Sequence, residues 1–142
     1  MKNQMRLEFD SISANEAFAR VAAAAFMTQM NPSMEEVADV KTAVSEAVTN
    51  AIIHGYGGGV HKIILTGEIE DDWLMLTVED QGVGIADIKK AMEPLYTSRP
   101  ELERSGMGFL FMEAFMDEIR VESEPGKGTR VFMKKRIGCQ EA

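Results

Sequence analysis

Glu46 and Asn50 stand four residues apart in a stretch patterned as a helix, so their side chains share one side of it. His54 continues the line. A glutamate can take a proton from a hydroxyl or a water. A side-chain amide oxygen suits a hard cation such as Mg²⁺, which takes few protein ligands and fills its octahedron with water and phosphate oxygens. A solvated polar face would show the same pair. What sets this one apart is a helix nearly bare of charge from Val48 to Ile53, ending in Gly55-Tyr-Gly-Gly-Gly59. Glycines there permit the close approach of another group.

Three glycine-bearing segments follow. Asp80-Gln-Gly82-Val-Gly84 lies between a strand and a short helix. Its glycines allow a tight turn with exposed amides, and Asp80 could accept a hydrogen bond from an amine such as that of adenine. An ordinary strand-to-helix connection has the same pattern. Arg104-Ser105-Gly106-Met107-Gly108 leads into an apolar helix. Amides at a helix start point outward, no Cβ blocks approach, and the dipole favours an anion such as a phosphate chain. The other reading is a plain helix entry after a loop. Gly126-Lys-Gly128-Thr129 sits between two strands and taken alone reads as a hairpin turn. Lys127 looks like a phosphate-loop lysine, but no GxxxxGK(S/T) surrounds it, so a P-loop is not supported.

These segments need elements to hold them. Met5, Leu7 and Phe9 alternate with charged residues, as in a strand. Ser11 or Ser13 can cap the helix that follows to about Met30. Its expected core face is Ala14, Ala17, Phe18, Val21 and Ala25, with Ala22, Ala23, Phe26 and Met27 widening the contact. A partner on the second side is the alternative. Asn31-Pro32-Ser33 breaks the chain, and Ser33 with Glu36 makes a capping box. The next helix runs to about His54 with an apolar stripe of Val37, Val40, Val44, Ala47, Val48, Ala51 and Ile52. Val60 to Glu70 and Trp73 to Glu79 form a hairpin across Asp71-Asp72. A short helix spans about 85–92, and a long loop 93–108 carries Thr97, Ser98 and Arg99. Met107 to Met116 is helical, and Glu118 to Glu124 with Thr129 to Ile137 makes a closing hairpin. Hairpins with inserted helices imply an α/β fold, a mixed, mostly antiparallel sheet with helices on one face.

Composition bounds the function. The 142 residues amount to one domain. Fifteen basic against 23 acidic residues give a net charge of −8, which argues against direct nucleic-acid or anionic-membrane binding. A local site of backbone amides or a metal can still hold an anion. A lone cysteine, Cys139, forms no internal disulfide and fits a reducing, cytoplasmic setting. The eleven methionines read as adaptable core filler or as a repackable partner surface. The longest apolar run, Val21 to Met27, is too short to cross a bilayer, and no secretory signal is visible.

In order, the motifs resemble the GHKL ATP-binding superfamily. Glu46–Asn50 matches its N box, Asp80–Gly84 the first glycine box, Gly106–Gly108 the second and Gly128–Thr129 the last. Glu46-Ala-Val-Thr-Asn-Ala-Ile-Ile-His-Gly-Tyr56 and Leu95 to Phe109 resemble the N box and lid of the anti-sigma factor serine/threonine kinases of spore-forming bacilli. The resemblance covers nearly the whole chain. It implies a Bergerat α/β sandwich with ATP or ADP between helices and lid. Asp80 would take the adenine amine, Thr129 would support it through water, and Asn50 would hold Mg²⁺. Glu46 would be the catalytic residue, as general base or as a group that positions the hydroxyl. Arg104, Ser105, Gly106, Met107 and Gly108 would cradle the phosphates, with Arg104 as the charge toward the γ-phosphate and Arg99 as the alternative. His54, Gly82, Gly84, Thr97 and Ser98 complete the implied nucleotide site. The implied partners are a sporulation sigma factor, an anti-anti-sigma factor phosphorylated on serine, and a second copy in a homodimer. A sigma-binding module without kinase activity and a detached histidine-kinase catalytic domain are the competing functions.

Overall fold

Two hairpins and one edge strand assemble the sheet in this computed structural model, which describes residues 1–55, 60–82 and 108–138, with the backbone alone at 54–55 and 108–111. The strands are β1 (Lys2–Asp10), β2 (Lys62–Glu70), β3 (Trp73–Asp80), β4 (Glu118–Glu124) and β5 (Gly128–Arg136). Their order is β1-β2-β3-β5-β4 and all four ladders are antiparallel. β1 begins earlier than its alternation predicts, because Lys2 to Gln4 pair with Glu70 to Glu68. The expected short helix at 85–92 and loop at 93–107 lie outside the described residues.

Register builds the core row by row. Leu7, Leu65, Val78, Val131 and Val121 stand side by side, as do Met5, Gly67, Leu76, Met133 and Ile119. Successive strand residues face opposite sides, so these rows share the face covered by α1 (Ala14–Met27), α2 (Met34–Asn50) and α3 (Gly108–Phe115). α2 is central and packs on both other helices. Its buried residues are Val40, Val44, Ala47 and Val48 of the expected stripe, together with Ala43, which the stripe did not include. Its start is the expected capping box: Ser33 accepts from the Glu36 amide at 3.1 Å, and Glu36 accepts from the Ser33 amide at 2.8 Å. Such a cap stabilises by about 1 kcal/mol.

α1 corrects the sequence reading. Its buried residues are Ala19, Ala23, Phe26 and Met27, whereas Phe18 and Val21 are 50% and 58% exposed. The cause lies in the sheet. Gly67 leaves a slot in β2, where an added Cβ would stand 3.0 Å from Phe26 Cε2. Seating Phe26 there turns Ala19 and Ala23 inward and leaves Phe18 against the edge of Phe9, ring centroids 6.2 Å apart. Neither serine caps α1. Ser13 makes no side-chain cap bond, and buried Ser11 instead accepts from the His61 amide at 2.9 Å, tying β1's end to the start of β2.

α2 also ends differently from expectation. The α-helix stops at Asn50, and Ala51–Gly55 form a π-turn. Single π-turns widen the helix locally and are frequent at functional sites. Glu46 and Asn50 keep their four-residue alignment, but the register that would carry His54 along the same line changes at Ala51. No described helix is long and apolar enough to cross a membrane.

Candidate functional site

The last inner row of the sheet is polar: Asp80 on β3, Thr129 on β5 and Ser123 on β4 lie in register. Asp80 and Thr129 are buried, at 6% and 8% exposure. They line an open depression of about 580 Å³ at this end of the sheet, together with Ser123, Lys127, Gly128 and the charged Glu79, Glu122, Glu124 and Arg130 around its edge. Burial pushes the Asp80 carboxyl above the ordinary 3.8, while the Gly82 and Thr129 backbone amides pull it back and Glu79 adds to the rise. The Gly82 amide donates to Asp80 Oδ1 at 2.9 Å. One glycine of the first box therefore fixes one carboxylate oxygen.

Gly128 explains why the last box has its glycine. Its φ is +92°, and a Cβ there would meet the Asp80 carbonyl oxygen at 2.1 Å and Gln81 Cα at 2.6 Å. Backbone cannot yield as a flexible side chain does. Gly126, at φ +81°, has open space and serves the turn. Gly128→Ala is therefore expected to cost about 2–4 kcal/mol by denaturant unfolding, against about 1 kcal/mol for Gly126→Ala. Equal losses in the two variants would contradict the close-approach role.

Ser123 was not found by sequence reasoning. Its Oγ donates to the Gly128 carbonyl at 3.0 Å and lies 2.9 Å from Thr129 Oγ1. Having spent its proton on Gly128, Ser123 accepts from Thr129, which leaves the Thr129 oxygen an acceptor toward the depression. The signal was present in the closing hairpin: pairing Glu124 with Gly128 puts Ser123 opposite Thr129. Lys127 pairs with Glu124 at 3.2 Å on the surface, as a turn residue would.

Glu46 and Asn50 are half-buried on the last two turns of α2, one helical turn apart. The neutral amide and carboxylate on one stripe are the donor set that Mg²⁺ with phosphate would use; among the described residues no cluster of three His, Cys, Asp or Glu side chains offers a closed metal cage. Gly108 opens α3, which packs on α2. The structure thus brings Asp80, Gly82 and Thr129 together at one end of the sheet and sets Glu46 and Asn50 at the end of the helix above it. Gly84, Thr97, Ser98, Arg99, Arg104, Ser105, Gly106 and Met107, and the His54 side chain, lie outside what is described.

The Asp80 carboxyl gives this site a pH signature. With its folded pKa raised, the folded chain takes up this proton before the unfolded chain as pH falls, so this group's contribution to stability grows from the raised value down toward 3.8. An amine donor needs the ionised carboxylate, so ligand affinity should fall across the same window. Measured relative to Asp80→Asn, the wild-type melting temperature should rise as pH falls through that window while wild-type nucleotide affinity falls. Parallel trends would contradict it.

Residues 11–135 match the histidine kinase-like ATPase domain model. The chain is 61% identical over 136 residues to the anti-sigma F factor of Clostridium novyi, covering 95% of each chain. It is 57% identical over 141 residues to that of Clostridium acetobutylicum, covering 99% of each. It is 56% identical to that of Geobacillus kaustophilus over 143 residues, covering 100% of this chain and 98% of the relative. Among solved structures, a Mycobacterium tuberculosis protein with RsbU and RsbW domains matches 95% of this chain and 32% of its own length, with TM-score 0.68 and 18% identity. ShkA in complex with AMPPNP matches 89% of this chain and 31% of its own, with TM-score 0.58 and 18% identity. These two likenesses concern the fold.

Proposed function

The chain belongs to the histidine kinase-like ATPase family, in its group of anti-sigma F factors, and we propose that it holds a sporulation sigma factor inactive and uses Mg-ATP to phosphorylate a serine on an anti-anti-sigma factor. The observation that carries the nucleotide reading is the buried Asp80 carboxylate, fixed by the Gly82 amide beside the acceptor oxygen of Thr129. A buried carboxylate held by the Gly82 and Thr129 amides keeps lone pairs for an amine donor such as that of adenine. Asn50 would hold Mg²⁺, whose charge offsets that of the phosphates. Gly108 at the start of α3 would present its amide to them, with Arg104 or Arg99 and the rest of 105–107 closing over the γ-phosphate.

Glu46 distinguishes a kinase from a binder. In phosphoryl transfer most of the acceleration comes from positioning and charge neutralisation. The serine oxygen bonds to the γ-phosphorus as the bond to the β,γ-bridging oxygen breaks, ADP leaves, and the serine proton passes to Glu46. A module that only bound nucleotide would have no use for a carboxylate one turn before its metal ligand. The acidic surface, at net charge −8, suits a basic DNA-binding partner. It acts without touching nucleic acid itself, in the cytoplasm and as a homodimer.

The sigma-binding half is tested by sedimentation of the chain with the sigma factor of its own organism. A complex that forms with Mg-ATP and loosens without nucleotide supports the reading. No complex under either condition overturns it.

A further inference from the structure

β5 carries an inward-facing charge that the proposed chemistry does not use. Lys135 sits opposite Leu74, on the face that Met133 and Val131 give to the core. A period-two strand would put an apolar residue there. Its ammonium donates to the Phe115 carbonyl, the last of α3, at 2.8 Å, and lies 3.7 Å from Asp39 Oδ2 on α2. The two side chains are only 13% and 22% exposed. A cation at a helix C-terminus satisfies an orphan carbonyl and complements the dipole.

We propose that Lys135 is a positioning residue for the phosphate-binding end of α3, acting by pinning the far ends of α3 and α2 together. Asp39 lies on the same stripe of α2 as Glu46 and Asn50, seven and eleven residues earlier. At 1.5 Å per residue, Asp39 to Glu46 rises about 10 Å, and Gly108 to Phe115 spans about the same. α3 packs on α2, so holding Phe115 beside Asp39 fixes one end of α3 on α2 and with it the reach of the other end, Gly108. The Asp117 carboxylate supports the hold by accepting from the Arg136 amide at 2.7 Å, and the Asp117 amide donates to the Lys134 carbonyl at 2.9 Å. Releasing the pin lets α3 tilt, and its free end swings most. The sheet-bound Asp80 row does not move with it.

The inference rests on the nucleotide reading of this site, and the test separates the two. Mg-ATP and AMP are titrated into the wild-type chain and into Lys135→Met, Lys135→Arg and Asp39→Asn, with melting temperatures recorded. AMP reports the adenine end, and the ratio of ATP to AMP affinity reports the phosphate end. In Lys135→Met that ratio should fall by roughly tenfold or more, since small misplacements at a site are costly. Lys135→Arg should restore most of it. Asp39→Asn, which keeps the bond to Phe115, should show a smaller fall and covers the case of a Lys135→Met chain that does not fold. Equal losses for ATP and AMP that track the melting temperature, or an unchanged ratio, would overturn the positioning role. Wild-type protein that binds neither nucleotide would instead overturn the reading of the site.

Discussion

Glu46→Gln is expected to lower phosphotransfer by about 10²–10⁴-fold while leaving nucleotide affinity within a few-fold of wild type. The glutamine keeps the length, shape and half-buried seat of the glutamate on α2. What disappears is the basic oxygen that, in the proposed reaction, takes the serine proton. Asn50, one turn on, is untouched and still able to hold the cation. Single-turnover phosphotransfer and equilibrium nucleotide titration, run on the same preparation, check the two halves separately. Full phosphotransfer would remove Glu46 from the chemistry. Parallel loss of binding and transfer would make it a binding residue instead.

Asp80→Asn should weaken ATP binding by roughly 10–100-fold, the cost of losing a hydrogen bond to a charged group. The geometry says why so small a change matters. The Gly82 amide occupies Oδ1, so the asparagine's one carbonyl oxygen goes to Gly82. Its amide nitrogen would then meet the Thr129 amide and, in the proposed site, the adenine amine, donor against donor. Stability should move the other way. Burial disfavours the Asp80 charge, and a neutral amide removes that penalty. The variant is thus expected to melt at or above the wild-type temperature while binding less. A variant that binds ATP as wild type does would take Asp80 out of the site.

Much of the frame could be read from residue order, and the exceptions share a cause. α2 was legible because its valines repeat at helical spacing and its cap is local: Ser33 and Glu36 need only each other. Both hairpins were legible because Asp71-Asp72 and Pro125 to Gly128 interrupt alternating strands. α1 was not, because alanines occupy both of its sides and give its periodicity little contrast. The choice between its faces was made by Gly67, a residue more than forty positions away. Ser11, drawn from the helix start to the His61 amide, likewise depends on a partner that only the assembled sheet supplies.

The site divides the same way. Asp80, Gly82 and Thr129 were found as pieces of motifs, and the sheet places them in adjoining positions. Gly128, however, has a reason the motif did not state: it admits the backbone of Asp80 and Gln81. Lys135 carried no motif at all. Its meaning comes from facing inward beside Asp39 and the end of α3.

The measurement that bears most directly on the account is transfer of label from γ-labelled Mg-ATP to a purified anti-anti-sigma factor of the same organism, followed by identification of the labelled residue. One label per acceptor is expected, on serine, stable to acid, and formed about 10²–10⁴-fold more slowly when Glu46→Gln replaces the wild-type chain. An acid-labile label on histidine would make the chain a detached histidine-kinase catalytic domain. Tight nucleotide binding with no label on any partner would make it a binding module, and either result would contradict the central claim.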